Sequence, residues 1–191
     1  MQRKMWDQIV SGAGAVVAVV LLMLGAVAIY GGTFGQDNVR DRLAPQNVTF
    51  PPLEAMTPAE KNLVGDFAGT KVVDGPGAEA FSDYIGLHLE ETNEGKTYSE
   101  TSSMARAEGL SEKEAAELSG MADSLFKGET LRAMLLNAYG WWTVSSLVIF
   151  AGYGLLAAGA LLALLAIMGF FHARKVEPKT AAIPVTSAAT A

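Results

Sequence analysis

Two long stretches of the chain carry no Asp, Glu, Lys or Arg, and the remaining residues are arranged around them. The first is Gln8–Gln36. Its apolar centre, Ile9–Tyr30, is long enough as a helix to cross a hydrocarbon layer roughly 30 Å thick. The second is Ala133–Ala173, richest in Leu, Ala and Ile from Val144 to Phe171. Burying two such helices in a soluble protein would take a core that 191 residues cannot supply. The pattern therefore predicts two transmembrane helices, over 9–30 and 141–171. From Trp142 to Phe171 a helix is about 43 Å long, so tilt or a protruding turn is expected.

Between them, residues 31–140 read as mostly helical. Thr57-Pro58-Ala59-Glu60 is a capping box with proline at the first helical position. It opens a helix with Leu63, Val64 and Phe67 on one face and Gly69 as its stop. Asp74-Gly75-Pro76-Gly77 reads as a turn. Ala78, Phe81, Ile85 and Leu89 then recur at helical spacing. Ser111-Glu112-Lys113-Glu114 is a second capping box, followed by Ala115, Leu118, Met121 and Leu125, and Gly128 closes that helix. Gln46–Pro52 and Thr70–Val73 look extended. The apolar faces are narrow, so this domain buries a modest core and is expected to lean on the membrane surface or a partner. The tail, within 172–191, lacks periodicity and is expected to be disordered.

Charge orients the two helices. Five basic residues against two acidic ones flank them at the chain ends, residues 1–8 and 172–191, whereas Asp37–Arg132 holds nine basic and eighteen acidic residues. The connecting segment is too long for its own charges to count, so the basic flanks decide. The positive-inside rule places both termini in the cytoplasm and the acidic domain outside the cell or in a periplasm-like space. Trp6, Tyr30, Tyr139, Trp141 and Trp142 mark the interfaces, where rings with an apolar body and a polar tip prefer to sit. Arg3 and Lys4 before an apolar run, with Ala26-Val27-Ala28 as a small-x-small site, also fit a signal peptide. The length of the run favours a retained anchor.

The composition, 50% hydrophobic and 18% charged with a net charge of −6, excludes disorder and nucleic-acid binding for the chain as a whole. No cysteine is present, so thiolate metal sites and cysteine nucleophiles are excluded. His88 and His172 are the two histidines and fall on opposite sides of the membrane in this topology. They cannot share a metal within one chain. Gly95-Lys96-Thr97 lacks the earlier glycine of a phosphate-binding loop, because Glu90 stands there. Glu90, Glu91, Glu94 and Glu100 lack the alternation of a calcium loop. Neither apolar core holds an ionisable residue of the kind that ion pathways use. No catalytic, cofactor-binding or metal-binding residue is assigned.

Two sets of residues remain as candidates. Gly14 with Ala18, and Gly154 with Ala158, are small residues four apart that would let helices approach closely. Leu131, Arg132, Leu135 and Asn137 lie where domain and bilayer meet and could dock a partner. Asn137 needs a hydrogen-bond partner beside hydrocarbon.

Lys96-Thr97-Tyr98-Ser99-Glu100, Lys127-Gly128-Glu129-Thr130-Leu131-Arg132, Leu135-Leu136-Asn137-Ala138-Tyr139-Gly140-Trp141 and Phe50-Pro51-Pro52, in this hairpin layout, resemble a family of small two-pass actinobacterial membrane proteins. Its members are often labelled aromatic ring-opening dioxygenases, without an established activity. The resemblance implies topology and bacterial origin. It adds no catalytic residue, since ring opening needs a metal held by clustered histidines and carboxylates. The expected fold class is an all-α membrane protein, two transmembrane helices flanking a mostly helical extracytoplasmic domain. The expected function is that of a non-enzymatic plasma-membrane protein of the cell envelope, structural or accessory, with the lipid bilayer and an envelope protein as partners. A ring-opening oxygenase and an accessory subunit of a transporter or sensor are the rival readings.

Overall fold

The computed structural model describes residues 2–175; the expected disordered tail beyond Lys175 lies outside them. Of the described residues 84% are helical, with two long apolar helices that could span a membrane. Five α-helices form among the described residues: α1 Gln2–Leu43, α2 Pro58–Val64, α3 Gly75–Thr92, α4 Tyr98–Met104 and α5 Glu112–Lys175. Among these residues the extended segments pair through a single isolated bridge, Thr49–Lys71, rather than a strand ladder. Phe50 N–H donates to the Thr70 carbonyl and Val72 N–H to the Val48 carbonyl, each at 2.9 Å.

The chain divides into two compact units, one made of the two ends, up to Ile29 and from Ala151, the other of Tyr30–Phe150. In the first unit α1 and α5 run antiparallel. Their buried positions recur every seven residues: Ser11, Ala18 and Gly25 on α1, and Gly152, Gly159, Ala166 and Ala173 on α5. A strict seven-residue repeat keeps one stripe facing the partner helix as the pair supercoils. Because every residue in the stripe is small, the backbones meet. A Cβ at Gly159 would stand 3.1 Å from the Ala18 carbonyl oxygen, and one at Gly25 would stand 2.8 Å from that of Gly152. The same spacing continues in the second unit with Gly32, Val39 and Ser145, all buried.

The larger apolar side chains point away from this seam. Val16, Val20, Val27, Leu161, Leu164 and Met168 are exposed. Of the most apolar window in each long helix, 11% is buried. Of the small residues singled out, Gly14 lies opposite Ala166 and Leu162 and Ala18 is 1% exposed. A Cβ at Gly154 would meet nothing within 4 Å among the described residues. Gly154 and Ala158 are exposed, and the close approach belongs to Gly152 and Gly159, because contact follows a period of seven rather than four.

The second unit is built around Phe50, which is 2% exposed, together with Met56, Val64, Val72, Ala78 and Ala80. Phe67 stacks on Phe50 with centroids 5.4 Å apart, and Phe81 meets its edge at 5.1 Å. The capping boxes at Thr57 and Ser111 form as the sequence predicts. Three local readings are corrected. Asp74 is an N-cap rather than part of a free turn, its side chain accepting from Gly77 N–H at 2.8 Å as α3 begins. Leu63 faces outward, and Glu60 joins Val64 on the buried side of α2. Gly128 does not end a helix. It lies within the 64 residues of α5, where the Leu89 side chain occupies the place of a Cβ, and that packing offsets the roughly 1 kcal/mol a helical glycine costs.

Candidate functional site

Two features of the Tyr30–Phe150 unit concentrate its polar chemistry. The first is a buried acid on α2. Glu60 N–H donates to Thr57 Oγ1 (3.3 Å), and the Glu60 carboxylate accepts from Thr57 N–H at 2.6 Å. Its other oxygen lies 2.9 Å from His88 Nε2 on α3. The backbone hydrogen bond from Thr57, then that from its side chain, hold the Glu60 carboxyl below its usual 4.5, with His88 and the Tyr84 hydroxyl adding to them. Burial first, and the Glu60 charge second, push the Tyr84 hydroxyl above its usual 10.0.

His88 Nδ1 lies 3.0 Å from the Tyr84 carbonyl oxygen. The pair clasps α2 to α3, and both ring nitrogens face an oxygen. One carboxylate and one imidazole so engaged do not fit the iron of a ring-opening oxygenase. No group of three or more His, Cys, Asp or Glu side chains that could hold a metal gathers among the described residues.

A pH dependence follows from the sign of the Glu60 shift. A carboxyl held low in the folded state contributes stability that is complete above 4.5 and is lost as the pH falls through the folded-state value. Thermal unfolding of the purified protein across acid pH should show this loss, and Glu60→Gln should remove part of it. The remainder belongs to Glu94, Glu100 and Glu114, held low by Lys96, Thr97 and Ser111 respectively.

The second feature is a groove of about 960 Å³ between the last turns of α1 and the middle of α5. Toward one end Asn38, Arg42 and Asn137 stand among Val39, Leu43 and Met134. Toward the other the lining is Gly31, Phe34, Val144 and Val148. Gly32 and Gly35 let α1 sit against Ser145, and Gln36 Nε2 donates to Ser146 Oγ at 2.9 Å. Arg40 lies over the Trp142 ring, 5.7 Å from its centroid, while Trp142 also fills the space beside Gly75. Trp141–Phe150 belongs with this unit by its contacts.

The expected docking residues divide between two surroundings. Arg132 Nε donates to the Ser82 carbonyl at 3.1 Å and its Nη1 to Glu129 at 2.9 Å, with Gly86 beneath the guanidinium. Leu135 packs against the aromatic core. Both are occupied by their own domain, which leaves Leu131, 54% exposed, and Asn137, which lines the groove. Sequence reading did not single out Arg42, the meeting of Glu60 with His88 or the seven-residue seam. The seam was visible in principle as Ser11-Ala18-Gly25-Gly32 and Ser145-Gly152-Gly159-Ala166. No protein-family model, curated protein or solved structure matches the chain.

Proposed function

We propose that this chain is a non-enzymatic integral membrane protein of the cell envelope. It crosses the plasma membrane twice and holds the domain between the spans, residues 31–140, outside the cell, where it acts as an accessory to protein partners. The observation that carries the reading is the inverted arrangement of α1 and α5, with small residues inside the pair and Val, Leu, Ile and Phe outside. Water would disfavour that surface, whereas lipid covers it without cost. The basic chain ends support cytoplasmic termini by the positive-inside rule. The layout agrees with the two-pass family that the sequence resembles, and the donor set gives no reason to adopt that family's oxygenase label.

The test combines extraction with labelling. The protein should stay in the membrane pellet under alkaline carbonate. Ser124→Cys, an exposed position on α5, should react with a membrane-impermeant thiol reagent on intact cells, and Ser187→Cys only after lysis. Release by carbonate would end the membrane reading, and labelling of Ser187→Cys alone on intact cells would invert the topology.

A further inference from the structure

We propose that the groove lined by Arg42, Asn137 and Val148 holds one phospholipid of the outer leaflet, its phosphate on Arg42 and an acyl chain along Val144 and Val148. The assignment rests on the membrane reading above. Four observations carry it. The groove is largely apolar, with the Arg42 guanidinium and the Asn137 carboxamide beside Val39, Leu43 and Met134 toward one end and Gly31, Phe34, Val144 and Val148 toward the other, while the Asn38 carboxamide donates to the Phe34 carbonyl at 3.3 Å. From Gly31 to Arg42 the helix rises about 16 Å, comparable to an extended acyl chain. The Arg42 end falls where the uncharged stretches Gln8–Gln36 and Ala133–Ala173 meet the first charges, the level at which headgroups lie.

The fourth observation concerns charge. Arg40 is engaged by Asp37 at 3.6 Å and by the Trp142 ring, but Arg42 is exposed and has no ion pair or side-chain hydrogen bond among the described residues. Asn137 is likewise exposed and makes no side-chain hydrogen bond there. A phosphate diester supplies what both donors need, because guanidinium and carboxamide N–H groups donate to its oxygens. A cation in the last turn of α1 also complements the helix dipole, but Arg40 and Arg42 share that role equally. The contrast between these two residues therefore separates lipid binding from helix-end electrostatics.

The full chain, reconstituted in nanodiscs with a phosphatidylglycerol bearing a diazirine near its acyl terminus, should take photolabel preferentially within Met134–Val148. Arg42→Gln should lower that labelling about tenfold, the factor expected on losing a charge-assisted hydrogen bond. Val144→Trp should block the groove and do the same, while Arg40→Gln should label as the wild type does. Excess inorganic phosphate should change nothing. Equal labelling of the wild type and Arg42→Gln would overturn the assignment, and so would competition by inorganic phosphate. Capture of a second chain or another protein by a photoreactive residue at Val144 would overturn it as well. Carbonate extraction keeps the two readings apart, since a protein retained in the pellet but without preferential labelling loses the lipid assignment alone.

Discussion

Gly152→Leu is expected to force α1 and α5 apart and to cost more than about 3 kcal/mol, the upper range for overpacking a close contact. The Cβ alone would stand 2.7 Å from Ile29 Cγ1, 2.9 Å from the Gly25 carbonyl oxygen and 3.0 Å from the Ile29 nitrogen. Two of those atoms are backbone, so no rotamer change relieves the clash and the helices themselves must separate. Separation would also break the close approach at Gly159, one repeat further on, where Leu22 and the Ala18 carbonyl face the glycine. Gly154→Leu is the matched control, because nothing lies within 4 Å of the added Cβ. Thermal unfolding in detergent and steady-state abundance in the membrane should drop sharply for Gly152→Leu and stay near wild type for Gly154→Leu. If the two variants behaved alike, the seven-residue seam would not be the contact that holds the pair.

That prediction turns on a feature that hydrophobic patterning cannot see. The apolar stretches were legible because charge is absent from them, but the helices that contain them run well beyond, over Gln2–Leu43 and Glu112–Lys175. Inside a stretch apolar on every side, hydrophobicity no longer marks the buried face, and residue size marks it instead. Gly154 and Ala158 looked as suitable as Gly152 and Gly159 until the period of the small residues on both helices was compared. Helix α4 escaped notice for a related reason. Its start, Thr97-Tyr98-Ser99-Glu100, is a capping box like the one at Thr57, with Glu100 N–H donating to Thr97 Oγ1 at 3.3 Å. Its buried residues, however, are Thr101 and Ser102, so no apolar periodicity announces it.

The candidate sites were less legible, because each depends on residues far apart in the chain. Glu60 was assigned a local task as the third residue of its capping box, and it performs that task. The meeting with His88 requires α3 to pack on α2 and cannot be read from either segment. Arg42 resembled any other cation at the end of a helix. It stands out through the contrast with Arg40, which pairs with Asp37 on its own helix and with Trp142 only once α1 and α5 lie side by side. Arg132 shows the reverse case. Its position next to the bilayer suggested a partner surface, and the fold uses it to fasten α5 to the Ser82 carbonyl on α3.

Phe50→Ala is expected to unfold the Tyr30–Phe150 unit while leaving the unit formed by the chain ends intact. Phe50 is 2% exposed and touches three aromatic rings, those of Phe67, Phe81 and Tyr84, with centroids 5.1 to 6.3 Å away. Truncating a buried phenylalanine costs about 3–5 kcal/mol. The core here is small, with six buried residues in its cluster. A small core supplies little reserve, so a loss of that size exceeds what such a unit can absorb. Phe50 is also held by its own backbone, through Thr70, so collapse of the ring cluster would free the segment that carries the Thr49–Lys71 bridge. The helix seam shares no side chain with this cluster. Limited proteolysis of membranes should therefore cut Phe50→Ala within Tyr30–Phe150 under conditions in which the wild type resists, while carbonate extraction stays unchanged. Phe126→Ala, at a ring 57% exposed, should shift stability by no more than about 0.5 kcal/mol. Protease resistance preserved in Phe50→Ala would mean that the unit is held by the long helices themselves and not by its aromatic core.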